Sequence, residues 1–101
     1  MDLNTYSHEA IQYACYEHEW YPFFALGEEV GEFQGKIAKE LRGDRVIDKV
    51  EKLKELGDIL WELNACCIQL DSSLEEVAKM NLDKLEDRAR RNQLKGDGDN
   101  R

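Results

Sequence analysis

Apolar residues along this chain recur at three- and four-residue intervals, the period of a helix with one buried face, and strand-like alternation is weak throughout. Four helical segments follow from the pattern. The first covers about residues 5–18, with Ile11, Ala14 and Cys15 on one side, and a break falls at Glu19-Trp20-Tyr21. Pro22 suits the first turn of a second helix, where its missing N–H costs nothing. That helix continues to about residue 41 and ends at Gly43-Asp44, a helix-stopping glycine with a turn partner. The third, about residues 46–70, is the longest. Asp71-Ser72-Ser73 closes it and opens the fourth, about residues 74–92, where Ser73 and Glu76 have the spacing of a capping box. Four helices with short connections predict an all-α, antiparallel four-helix bundle over residues 1–94, followed by a polar, glycine-containing tail at 95–101.

Helical wheels at 100° per residue sort these segments into faces. On the second helix, with Glu28 at 0°, Leu26, Val30, Phe33, Ile37 and Leu41 form a core stripe between about 140° and 220°. Glu28, Glu32 and Glu29 fall at about 0°, 40° and 100°, so Glu29 borders that stripe. Glycines at 27, 31 and 35 recur every fourth residue of the same helix; either a close neighbour or ligand, or simple tolerance on a surface, accounts for them. On the third helix, Leu53, Leu56, Ile59, Leu60, Leu63, Cys66, Cys67 and Leu70 define one apolar region, and Trp61, Ala65 and Ile68 another. Between them lies a wedge of Glu51, Glu55, Asp58 and Glu62, and that wedge contains no Lys or Arg. Like charges at i,i+4 repel by a few tenths of a kcal/mol. Such a wedge is either a solvated acidic stripe or a site for something positive. The pairs Glu29/Glu32 and Glu55/Asp58, each at i,i+3 on neighbouring helices, would bring four carboxylates to one point, and such hard oxygen ligands suit Mg²⁺ or Mn²⁺.

Composition narrows the setting. The chain has 101 residues, enough for one domain, and a core so small gains from association between copies. A net charge of −8 argues against a nucleic-acid polymer as partner, because neutralising a phosphate backbone needs clustered Lys and Arg. No run approaches the roughly 18 apolar residues of a membrane span, and the start Met1-Asp2-Leu3-Asn4 lacks signal-peptide character, which points to the cytoplasm. The three cysteines, Cys15, Cys66 and Cys67, have no zinc-type spacing and read as small buried apolar side chains.

The order Glu28-Glu29-Val30-Gly31-Glu32, then 22 residues, then Glu55-Leu56-Gly57-Asp58 resembles the EExxE…ExxD signature of the MazG-like, all-helical nucleoside triphosphate pyrophosphohydrolases. Asn81, Lys84 and Arg88 are similar to that family's NxxKxxxR segment, and Gly98-Asp99-Asn100-Arg101 is similar to the ending of its single-domain members. The resemblance implies a MazG-like bundle completed by homo-oligomerisation, as a homodimer or homotetramer. It implies Mg²⁺-dependent conversion of (d)NTP to (d)NMP and pyrophosphate, with cleavage between the α- and β-phosphates. Carried over by position, Glu29, Glu32, Glu55 and Asp58 would hold the metal. Glu28 would be a further ligand, a group behind the ligands or a base that orients water. Lys84 and Arg88, with Asn81 nearby, would meet phosphates, unless they are ordinary surface charge. Trp61, three residues past Asp58, is a candidate for stacking on the base, alongside Trp20, Phe23 and Phe24, although each also suits core packing. Three alternatives stay open: a dUTP- or dCTP-specific relative, a phosphoribosyl-ATP pyrophosphohydrolase, and a non-enzymatic helical oligomerisation module.

Overall fold

The computed structural model describes residues 1–91, so the 95–101 tail lies outside the described residues. Four α-helices carry the chain: α1 (Leu3–Ala10), α2 (Tyr21–Leu41), α3 (Lys49–Gln69) and α4 (Leu74–Arg90), and there is no strand among the described residues. None of these helices is long and apolar enough to cross a membrane.

Each helix end has a local cause. Asp2 caps α1 by accepting the Thr5 N–H at 2.8 Å, and Asp48 does the same for α3 through Glu51 N–H at 2.8 Å. Ser73 Oγ accepts the Glu76 N–H at 3.1 Å at the start of α4. Pro22 stands in the first turn of α2. At the other end of α2, Gly43 takes φ +80°, and the Gly43 and Asp44 N–H groups return to the carbonyls of Glu40 and Lys39. The end of α3 repeats this arrangement with a non-glycine residue. Asp71 sits at φ +56°, while Asp71 and Ser72 N–H groups bond to the carbonyls of Ile68 and Cys67.

The first helix is shorter than the 5–18 span the sequence suggests. The chain tightens into a 3-10 turn at Ile11–Tyr13 and leaves helical geometry at Ala14. A side chain of α3 supplies a reason at Ala10, whose carbonyl it takes, while Ser7 O accepts a second α3 donor beside the Ile11 N–H. Trp61 Nε1 donates to Ala10 O at 3.1 Å and Asn64 Nδ2 donates to Ser7 O at 3.2 Å. Beyond the turn, the Tyr16 hydroxyl donates to Gln69 Oε1 at 3.4 Å, and the Tyr16 and Tyr21 rings stack at 6.0 Å. The segment between α1 and α2 is thus tied to α3 by side chains that no helical period reveals.

The main packing is α2 against α3. Helix α4 packs on α1 and α3, and its backbone does not approach that of α2 among the described residues. The fully buried apolar set is small: Ala25, Ile47, Ala65, Cys66, Cys67 and Leu74, with Pro22 and Asn64 beside them. Cys15 is exposed, against the expectation that all three thiols are buried, because it follows the point where the chain leaves α1. Burial pushes the Cys66 and Cys67 thiols up from the ordinary value, so neither is an activated nucleophile. Part of the apolar stripe expected in the core faces outward instead: Leu41 (84%) on α2, Leu53 (54%) and Leu56 (44%) on α3, and Leu70 (69%) at the α3 C-cap; Val50 on α3 and Met80 and Leu82 on α4 are exposed as well. A helical wheel gives the face but not what covers it, and among the described residues nothing covers these side chains.

Candidate functional site

The pairing of α2 with α3 brings three carboxylates together. Glu29 and Glu32 from α2 and Glu55 from α3 each offer an oxygen within 4.8 Å of the others, a set that could hold one metal ion. Glu29 Oε2 and Glu55 Oε2 are buried without a hydrogen-bond partner. Buried polar atoms are rarely left so, and two orphaned carboxylate oxygens in one cluster are an acceptor set with no donor. Burial raises the Glu29 carboxyl above the ordinary value of 4.5, and the charges of Glu32, Asp58, Glu62 and Glu55 push the same way.

Asp58 and Glu28 lie around this trio. Asp58, one turn past Glu55, is exposed, and its charge reaches Glu29, Glu62 and Tyr6. Glu28 is exposed, and its charge reaches Glu62. Glu62, buried to 8% exposure, is held above the ordinary value by burial first, then by Glu28 and Asp58. It belongs to this acidic group although sequence reasoning left it in the wedge without a role; its i,i+4 spacing from Asp58 was the available signal.

The acidic wedge also has a cation. Lys36 of α2 donates to Glu55 Oε1 at 2.5 Å and lies 3.3 Å from Glu51 Oε2. Arg45 grips both oxygens of Glu51, at 2.5 and 2.7 Å. The Arg45 guanidinium holds the Glu51 carboxyl below the usual range, and the bond to Glu55 raises the Lys36 ammonium. On the α2 wheel Lys36 falls near 80°, between Glu32 and Glu29, so the pattern placed it on this face. Nearer the α2–α3 turn, Glu40 accepts the Ile47 N–H at 2.6 Å and the Lys52 ammonium at 3.2 Å, which fixes the entry to α3.

Beside the trio is a pocket of about 150 Å³ walled by Ala14, Cys15, Tyr16, Tyr21, Trp61 and Ala65, with the carboxylates Glu29 and Glu62 in the same wall. Three aromatic rings and Glu62 here share a pocket with Glu29, one of the metal-ligand candidates. A larger hollow of about 440 Å³ lies on the other side of Trp61, lined mainly by Met1, Tyr6, Ala10 and Tyr13; it is mostly apolar, with Glu9 its one carboxylate.

The trio includes no residue of α4. Asn81 and Lys84 line a separate surface pocket with Val77 and Met80, and Arg88 is buried at 5% exposure. Their i, i+3, i+7 spacing put them on one helix face, yet among the described residues that face belongs to a helix whose backbone does not approach α2.

Residues 23–92 match the MazG nucleotide pyrophosphohydrolase domain, and the chain belongs to that family. The chain is 39% identical over 85 residues to the Gene 37 protein of Mycobacterium phage L5, covering 80% of this chain and 75% of the relative, whose name states no activity. No solved structure matches it significantly. An all-helical fold and nucleotide pyrophosphohydrolase chemistry as the class of activity go with that membership.

Proposed function

We propose that the chain is a Mg²⁺-dependent hydrolase that converts (d)NTPs to (d)NMPs and pyrophosphate in the cytoplasm. The observation that carries this reading is the carboxylate trio drawn from two helices, with Glu29 Oε2 and Glu55 Oε2 buried and unpaired. Glu29, Glu32 and Glu55, with Asp58 one turn on, hold Mg²⁺, and Mn²⁺ substitutes for it. Bound magnesium neutralises phosphate charge and lowers the pKa of water. Glu28, exposed beside the cluster, takes the proton of the attacking water. Trp61, Tyr16 and Tyr21 receive the base in the adjoining pocket. That pocket's ~150 Å³ is the size that accepts a single six-membered ring. This supports, as a second reading, a pyrimidine-specific enzyme acting on dCTP or dUTP.

The test is release of pyrophosphate from the common NTPs and dNTPs with Mg²⁺. Equimolar pyrophosphate and monophosphate are expected from wild type, and none above background from Asp58→Ala. Release of orthophosphate, or no release from any nucleotide, overturns the reading, and the second outcome leaves a helical oligomerisation module.

The same reading includes self-association. Asn81 and Lys84 would reach phosphates in the site of a second copy, because the α4 backbone does not approach that of α2 among the described residues, while Arg88, buried in its own chain, would stay behind them. The outward apolar residues of α3 and α4 supply the surface for a homodimer or homotetramer. Wild type is expected to elute at twice or four times the chain mass by size exclusion with light scattering, and Leu53→Glu combined with Leu56→Glu as a single chain. A wild-type monomer at high concentration would remove this part of the proposal.

A further inference from the structure

Lys36 and the carboxylates around it form a line of alternating charge, Arg45–Glu51–Lys36–Glu55, that ends on the trio. The ammonium takes Glu55 Oε1, leaving Glu55 Oε2 as the orphaned oxygen. An ammonium carries only donors, so it competes for the same lone pairs as a metal ion. Glu51 and Glu55 are one helical turn apart on α3, and Lys36, a four-carbon stem about 30% exposed, already touches both. It can therefore leave Glu55 without leaving the acidic face, by settling on Glu51.

We propose that Lys36 is the resident counter-ion of the carboxylate site. It neutralises Glu55 in the metal-free chain, holds that side chain against α2, and gives way when a divalent cation arrives. Its presence weakens metal affinity and protects the metal-free fold. The inference rests on the metal-binding reading above and concerns a residue which that reading does not use. Two consequences follow from the charge alone. Removing the ammonium leaves Glu55 and Glu51 less compensated in the apo chain, which lowers its stability. The same removal makes the site more negative and frees Glu55, so a divalent cation binds more tightly. A neighbouring opposite charge shifts a carboxylate's proton affinity by 1–3 units, so an effect of about tenfold on cation affinity is the scale to look for.

The experiment is calorimetric titration of MgCl₂ and MnCl₂ alone, without nucleotide, together with melting in EDTA and in saturating Mg²⁺. Lys36→Met is expected to bind Mg²⁺ about tenfold more tightly than wild type. It should melt lower in EDTA and level with wild type once loaded. Lys36→Arg is expected to keep wild-type affinity. Lys52→Met, which removes the same charge from the Glu40 pair, should leave affinity unchanged. Should Lys36→Met not fold in EDTA, Lys36→Gln takes its place with the same readouts. Equal or weaker Mg²⁺ binding by the neutral variant, while wild type binds, overturns the counter-ion role and leaves the metal site standing. Absence of Mg²⁺ and Mn²⁺ binding in wild type and variant alike overturns both.

Discussion

Glu29→Gln is expected to abolish pyrophosphate release while making the metal-free protein more stable. Glu29 is the member of the trio whose carboxyl is raised, by burial first and then by four neighbouring acids, and its Oε2 has no donor. In the absence of metal, ionising it in that position opposes folding. The amide is nearly isosteric, carries no charge, and brings two N–H donors into a region rich in acceptors. Melting in EDTA should therefore rise by about 4 °C or more, the shift that roughly 1 kcal/mol produces in a domain of this size. Activity with Mg²⁺ should fall on the order of a hundredfold or more, because the lost ligand served the charge that develops in the reaction. A variant that melts lower in EDTA and keeps wild-type turnover would show that Glu29 is an ordinary surface acid.

The second large effect is linkage to metal and to protons. If the trio binds Mg²⁺ only when folded, metal at about 100 times its Kd adds about 2.7 kcal/mol, or 10 °C or more in melting temperature. The pH dependence has a definite sign. Glu29 and Glu62 are raised in the folded chain, so between the ordinary value of 4.5 and their folded values the native state binds more protons than the unfolded one. Their contribution therefore improves as pH falls through that window, and is fully present below 4.5. Glu40 and Glu51 are lowered, by the Ile47 N–H and by Arg45 respectively, and the stability they contribute is lost as pH falls below 4.5 through their folded values. Metal-free protein should thus melt highest on the acid side of neutrality, near the ordinary carboxylate range. Saturating Mg²⁺ should flatten that rise, because the cation replaces the protons and is itself displaced by them at low pH. Thermal melts between about pH 4 and 8, with and without Mg²⁺, measure this. A metal-free melting temperature that climbs steadily to pH 8 would contradict it, and Glu29→Gln should reduce the slope.

The helix frame was legible because its signals are local. Pro22, Gly43 and Ser73 act on the turns they occupy, and the backbone follows them. The end of α1 was not legible, since Trp61, more than fifty residues downstream, takes the Ala10 carbonyl. The acidic wedge of α3 was readable as a wedge, but its counter-charges, Lys36 of α2 and Arg45 of the connection, appear only when the two helices pair. Lys36 shares the wheel sector of Glu29 and Glu32, so joining the two wheels would have exposed it. Glu62 was hidden for a related reason, since burial depends on what packs against a helix and not on its own period. The face carrying Asn81 and Lys84 was assigned correctly as a face and said nothing about which neighbour it meets. The α3 leucines show the same gap, because an apolar stripe does not reveal whether its cover comes from the same molecule.

The trio belongs to neither helix by itself. Glu29 and Glu32 are fixed to one rigid rod and Glu55 to another, and a slip of one turn along the shared axis would part them by about 5.4 Å. Longitudinal alignment of α2 and α3 is therefore a chemical variable, set partly by Glu40 clasping the Ile47 N–H near the hairpin bend. A substitution at that clasp, about two helical turns along α2 from Glu32, would detune the spacing among the acids without altering one of them.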